Sequence, residues 1–174
     1  YNGETQIAEM RQNVVMTHRK QVLRTDSLNY DRLYNVGYYF EGGELIDGKN
    51  HLSSDWGEYH TDTRKATFNY NVELKSPKFR LVTDTLHYNT INKWAQVVGK
   101  SNIYSGSDRI YTELGYYNTQ TEKVRLFKGT RLFNGEREMK GDTLYYNKVT
   151  GVMEAFSNVE CIDRKNKNIL TGDY

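Results

Sequence analysis

The stretch Leu81-Val82-Thr83-Asp84-Thr85-Leu86-His87-Tyr88 decides the fold, because close copies of it stand at equal distances on either side. Leu23-Arg24-Thr25-Asp26-Ser27-Leu28-Asn29-Tyr30 precedes it, and Met139-Lys140-Gly141-Asp142-Thr143-Leu144-Tyr145-Tyr146 follows it. Half that spacing is present too. Tyrosine recurs at a constant interval, at Tyr1, Tyr30, Tyr59, Tyr88, Tyr117 and Tyr146, while the last residue, Tyr174, misses the next slot by one. The 174 residues therefore read as six equal units, or three double units. A fixed period of this size marks a repeat architecture, which works through a continuous surface or groove and not through one pocket of unique residues.

Other columns keep the same register. Seven positions after the tyrosines lie Ala8, Gly37, Ala66, Ala95, Val124 and Met153, mostly small. Nine after lie Met10, Tyr39, Phe68, Val97, Leu126 and Ala155; fifteen after lie Met16, Leu45, Leu74, Ile103, Leu132 and Cys161. Four before the later tyrosines stand Asp26, Asp55, Asp84, Glu113 and Asp142, and two before them Leu28, Gly57, Leu86, Gly115 and Leu144 alternate. One after come Asn2, Asp31, His60, Asn89, Asn118 and Asn147.

The apolar columns share parity, which is strand spacing. In Ala66–Leu74 the reading puts Ala66, Phe68, Tyr70, Val72 and Leu74 on one side, and in Leu81–Tyr88 it puts Leu86 and Tyr88 on a common face. Ile7–Gln12 fits a helix as well as a strand and is read as strand from its columns. Asp47-Gly48-Lys49-Asn50, Asn134-Gly135-Glu136, Lys148–Gly151 and Asp163–Asn168 are turn signals, since Gly, Asn and Asp tolerate left-handed backbone or bond their own main chain. Two strands per unit predict an elongated all-β module of about 12–16 antiparallel strands, one domain over residues 1–174, with the apolar columns inside.

Composition narrows the function. Hydrophobic residues make up 37%, yet there are 15 tyrosines and one proline, a profile of exposed β-structure and not of disorder. The net charge of +2, from 24 basic and 22 acidic residues, is no nucleic-acid footprint. No apolar run is long enough for a spanning helix. The lone Cys161 excludes an internal disulfide or a cysteine cluster and reads as a small core hydrophobe. The chain opens on Tyr1 and keeps one repeat phase at both ends, so a segment of a longer protein is expected.

Candidate chemistry is sparse. His18, His51, His60 and His87 fall at unrelated repeat positions, and His60-Thr61-Asp62 reads as a surface turn. The acidic column repeats too regularly for a catalytic pair, which needs two unlike environments; carboxylates bonding backbone amides at strand corners are expected instead. Asp163–Asn168 lacks the central glycine and distal glutamate of a calcium loop. No phosphate loop, nucleophile elbow or zinc-peptidase motif occurs, so neither enzyme, metal nor cofactor is expected.

The segments Asp84-Thr-Leu-His-Tyr-Asn89, Ala95-Gln-Val-Val-Gly99 and Asn102-Ile103, repeated as Asp142-Thr-Leu-Tyr-Tyr-Asn147 and Ala155-Phe-Ser-Asn-Val159, resemble the OstA-like family. That family includes the periplasmic bridge protein of lipopolysaccharide transport. The resemblance implies a taco-like jelly-roll of two antiparallel sheets, an apolar interior that shelters acyl chains, sugars left outside, and end-to-end stacking in the periplasm of a Gram-negative envelope. The tyrosine content and the regular glycine alternation depart from the standard bridge protein and point to a divergent member.

Joined to the columns, the resemblance gives a non-enzymatic module that carries lipopolysaccharide or its lipid A part. Its expected lining is Leu28, Tyr30, Phe68, Val72, Leu74, Leu86, Tyr88, Val97, Ile103, Leu126, Leu132, Leu144 and Tyr146. Its expected partners are transport proteins of the same fold and further copies of itself, joined head to tail through Ile7–Thr17 and Glu154–Ile162 or the C-terminus. A purely structural or assembly module filled by its own side chains, and a glycan-binding module using tyrosines on the outer face, are the alternatives.

Overall fold

The computed structural model describes residues 1–18, 21–147 and 149–174. Lys148, the first residue of the expected turn Lys148–Gly151, lies outside the described residues. The described residues form no helix and fifteen strands: β1 (Ile7–His18), β2 (Gln21–Asp31), β3 (Val36–Tyr39), β4 (Gly43–Asp47), β5 (Asn50–Ser54), β6 (Trp56–His60), β7 (Lys65–Lys75), β8 (Arg80–Asn89), β9 (Trp94–Ser105), β10 (Asp108–Asn118), β11 (Lys123–Asn134), β12 (Arg137–Asn147), β13 (Val152–Phe156), β14 (Val159–Asp163) and β15 (Asn168–Gly172). Every pairing is antiparallel, and all fifteen belong to one sheet. β3 with β4, β5 with β6, and β13 with β14 each continue one pass across a short break, so the passes number two per repeat unit. The stretch Ile7–Gln12 is strand.

The two leaves suggested by the sequence are halves of this one sheet, because the long strands cross the fold line. Leu81 and Leu86 show it. They lie five apart on β8, which is opposite parity, yet both enter one core. Between them the register slips on both sides: Tyr70 and Asn71 of β7 bulge opposite Thr83–Thr85, and the pairing with β9 slips between Val82 and Thr85. A bulge bends a strand and re-aims its side chains. Slips recur between Arg11 and Val14, Tyr111 and Leu114, and Phe127 and Thr130. Left-handed backbone accompanies the corners at Gln12 and Asn13, Tyr70 and Asn71, Gly99, Lys128 and Gly129, and Ser157 and Asn158. Tyr70 therefore does not join the inward face of Ala66–Leu74. It stands on the bulge, 67% exposed.

The bend leaves backbone groups outside the ladder, and two columns satisfy them. In one, hydroxyls precede the carboxylates: Thr25 Oγ1 donates to Gly42 O at 2.7 Å, Ser54 Oγ to Trp56 O at 2.9 Å, and Thr112 Oγ1 to Phe127 O at 2.8 Å. Thr83 and Ser101 share a hydroxyl–hydroxyl bond of 2.8 Å. All are buried, so each bond matters more than it would in water. The carboxylates form the other column, and the expected amide bond appears at Asp26, which accepts from Asn13 N–H at 2.9 Å. Elsewhere the donors are side chains: Asn71 Nδ2 to Asp55 at 2.7 Å, Asn158 Nδ2 to Asp142 at 2.7 Å, and Tyr111 Oη to Glu113 at 3.1 Å.

The Asx column that follows the tyrosines makes the hairpin turns. Asn89 Oδ1 accepts from the N–H groups of Ile91 and Asn92, Asn118 Oδ1 from Gln120 and Thr121, and Asn147 Oδ1 from Val149 and Thr150. Successive turns also bond each other: Thr61 N–H to Asn35 O, Thr90 N–H to Arg64 O, and Thr119 N–H to Lys93 O, at 2.9, 3.0 and 2.9 Å. The repeat thus propagates by main-chain bonds at the turns as well as within the sheet.

Burial raises the Tyr39 phenol above its ordinary value of 10.0, with the Ser54 hydrogen bond partly opposing the rise. The folded protein holds the proton more tightly than the unfolded chain does. Stability from this group is complete below pH 10 and falls as pH climbs towards the higher folded value. Urea midpoints followed from neutral pH past that value should therefore drop more steeply in the wild type than in Tyr39→Phe. Parallel curves would remove Tyr39 as the cause.

Candidate functional site

The interior is built from rows that cross every strand, because residues directly opposite one another in an antiparallel sheet share a face. The first row runs Tyr39, Gly57, Phe68, Leu86, Val97, Gly115, Leu126, Leu144, Ala155, each opposite the next. Met10 opposite Leu28 occupies the same level at the N-terminal edge. Both of its glycines face large residues. The glycine alternation has that cause: a Cβ on Gly57 would lie 2.5 Å from the Tyr39 ring, and one on Gly115 would lie 3.0 Å from Leu126 Cδ2. A tyrosine row runs beside it: Ala8, Tyr30, Gly37, Tyr59, Ala66, Tyr88, Ala95, Tyr117, Val124, Tyr146, Met153. The small column is small because a tyrosine ring stands on each side of it.

Across the fold line a third row is apolar throughout: Met16, Leu23, Leu45, Leu52, Leu74, Leu81, Ile103, Ile110, Leu132, Met139, Cys161, Leu170. In the first half of the chain the two leaves close on each other. Leu23, Leu52 and Leu81 from this row join Leu28, Tyr39, Phe68, Leu86 and Val97 in one buried cluster. Beyond Ile103 no residue joins this cluster. Ile110, Leu132, Met139 and Cys161 are half-buried, Leu170 is 71% exposed, and Leu126, Leu144 and Ala155 are buried outside the cluster.

All thirteen expected lining residues lie on these inward rows or beside them. Leu28, Phe68, Leu86, Val97, Leu126 and Leu144 are in the first row or level with it; Tyr30, Tyr88 and Tyr146 are half-buried in the second; Leu74, Ile103 and Leu132 are half-buried in the third; and Val72 is fully buried beside the fold line. The first half packs Leu28, Phe68, Val72, Leu86 and Val97 against each other, whereas Leu132 and Tyr146 are half-buried outside that cluster. The reading of the columns missed Leu23, Leu52, Leu81, Ile110 and Met139. Their apolar recurrence, once in each of the first five repeat units, was the available signal.

The model for the OstA-like protein family matches residues 1–84. That match makes the first 84 residues OstA-like in sequence. Among solved structures it is similar to LptH of Pseudomonas aeruginosa, described as the LptA-homologous periplasmic component of a conserved lipopolysaccharide transport device. That likeness has a TM-score of 0.60 at 11% identity and covers 65% of this chain and 93% of LptH. At such identity it shows the fold, an LptA-like β-jelly-roll. No curated protein matches the sequence. Among the described residues, no group of three or more His, Cys, Asp or Glu side chains could hold a metal ion, and no helix is long and apolar enough to cross a membrane.

Proposed function

We propose that this OstA-like chain is a non-enzymatic module of a periplasmic lipopolysaccharide-transport bridge, and that it holds acyl chains between the leaves of its C-terminal half. One observation supports the placement: an apolar row continuous from strand to strand whose later members, Ile110, Leu132, Met139 and Cys161, stay half-buried outside the sealed cluster. Burying methylenes there gains about 0.8 kcal/mol each and needs no charged anchor. Within that half the row is apolar on every strand, so a lipid can pass from one strand to the next without a deep trap. The sealed cluster from Leu23 to Val97 favours a second reading for the first half, a structural support filled by its own side chains.

A photo-crosslinking residue at Leu132 should label lipopolysaccharide in cells. One at the turn residues Asn134 or Lys165 should not. Equal labelling at all three sites would end the groove reading.

The edges support assembly into a bridge. Among the described residues, β1 pairs only with β2, β13 only with β12 and β15 only with β14, so open strand edges stand at both ends. Such edges recruit another chain unless blocked, and the only proline, Pro77, is mid-chain. The sequence places the C-terminal edge at Glu154–Ile162 or the extreme C-terminus; β15 covers Val159–Asp163, so the free edges there are β13 and β15. Head-to-tail contact of β1 with β13 and β15 gives an open, heterologous assembly. Sedimentation should show mass rising with concentration, and Thr171→Pro with Glu154→Pro should reduce it. A monomer at every concentration would refute self-assembly.

A further inference from the structure

The outward face changes character half-way along the chain while the inward rows do not. Two columns carry the change. One reads Asn29, Glu58, His87 and then Tyr116, Tyr145, Tyr174; the other reads Arg11, Phe40, Asn69 and then Val98, Phe127, Phe156. Tyr174 therefore misses the inward tyrosine slot because it belongs to the neighbouring outward column, in step with Tyr116 and Tyr145. Apart from Phe40, the first half builds the same fold with polar residues at these places.

The second half assembles them into a ribbon. Successive ring centroids stand 6.0 Å apart for Tyr116 and Phe127, 6.3 Å for Phe127 and Tyr145, 5.5 Å for Tyr145 and Phe156, and 4.9 Å for Phe156 and Tyr174. Arg125 lies between two more faces, 5.5 Å from the Trp94 ring and 6.0 Å from the Tyr145 ring. Polar groups sit at the ring tips: Gln96 Nε2 donates to Tyr116 Oη at 3.1 Å, and Tyr174 Oη donates to Glu154 Oε1 at 3.2 Å. Arg125 has no carboxylate partner among the described residues, so its guanidinium donors stay available on an exposed surface.

We propose that this outward aromatic ribbon, Trp94, Tyr116, Arg125, Phe127, Tyr145 and Tyr174, binds a saccharide chain bearing anionic groups. Sugars present C–H faces that pack on aromatic rings and hydroxyls that bond amides, phenols and carboxylates. The ribbon offers both along one line. It is flat, unlike a site for a compact small molecule. An unpaired cation amid the rings favours an anionic ligand, since an apolar protein partner would have to bury that charge without compensation. The ribbon lies on the opposite face of the sheet from the acyl lining. The inference extends the transport reading, in which sugars stay outside, yet it rests on separate residues.

The test uses the core oligosaccharide released from lipopolysaccharide by mild acid, which carries no acyl chains, titrated into the full chain and followed by the aromatic resonances. Saturable shifts confined to the ribbon are expected, and a neutral dextran oligomer should bind more weakly. Arg125→Gln should weaken binding about tenfold and flatten its salt dependence; Tyr145→Ala should weaken it about as much. Leu132→Asp should leave it unchanged, so failure here is separable from failure of the lipid groove. Absence of saturable shifts in the wild-type chain would overturn the proposal. So would ribbon resonances that move with protein concentration alone, because they would make the strip a contact between copies.

Discussion

Gly57→Val should destabilise the fold strongly, by on the order of 3–5 kcal/mol by urea unfolding. A Cβ at this position would sit 2.5 Å from Tyr39 ring carbons, and one on Gly43 would sit 2.7 Å from the same ring. Tyr39 cannot step aside. It is buried, and its hydroxyl bonds Ser54 at 2.6 Å. Moving the ring would empty part of the core and orphan a buried hydroxyl together. Gly37→Ala is the matched control, because its Cβ would meet Tyr30 at an ordinary 3.8 Å and should change stability by less than about 0.5 kcal/mol. If crowding is the mechanism, Tyr39→Leu should rescue part of the Gly57→Val loss, a non-additivity expected of residues in contact. Independent, additive losses would show that Gly57 serves the backbone instead.

This pair also shows how much of the fold the sequence carried. A glycine in every second repeat of an apolar column was visible, as was the strand parity around it, and so the repeat, the all-β class and the inward rows could be read directly. The cause of the alternation could not. It depends on which strand's side chain covers which, and that needs the register. The bulges were hidden for a related reason. Parity arguments assume an uninterrupted pleat, and Tyr70 and Asn71 break it, which sent Tyr70 outward and brought Leu81 in with Leu86. The hydroxyls at Thr25, Ser54, Thr83 and Thr112 recur as regularly as the carboxylates beside them. Small polar residues give no burial signal until the corner that encloses them is known. For the candidate site, the lining residues were legible one by one. The division into a sealed cluster and a half-buried remainder was not, because it depends on which residues of the facing leaf pack against each row.

That division predicts opposite outcomes for one substitution at two places. Leu86→Asp puts a carboxylate at a site 2% exposed, among Phe68, Val97 and the residues of the facing leaf. The cluster around it is apolar, so the group must either take up a proton or open the core. The expected loss is at least about 3–5 kcal/mol, enough to unfold a domain of ordinary stability at neutral pH. Partial recovery at low pH, as the carboxyl protonates, would confirm that the charge is responsible. Leu132→Asp places the same carboxylate on a half-buried position with water within reach, opposite Met139 and Ile110. Its stability loss should stay near about 1 kcal/mol, because the ion keeps most of its hydration. Its lipid crosslinking in cells, read from a probe at the neighbouring position Met139, should nevertheless fall sharply, since an acyl chain cannot lie against a charge. A folded Leu132→Asp chain that still labels lipopolysaccharide at the wild-type level would place the lipid elsewhere. A folded Leu86→Asp chain that loses labelling would move the lipid into the first half, and the sealed cluster would then have to open to admit it.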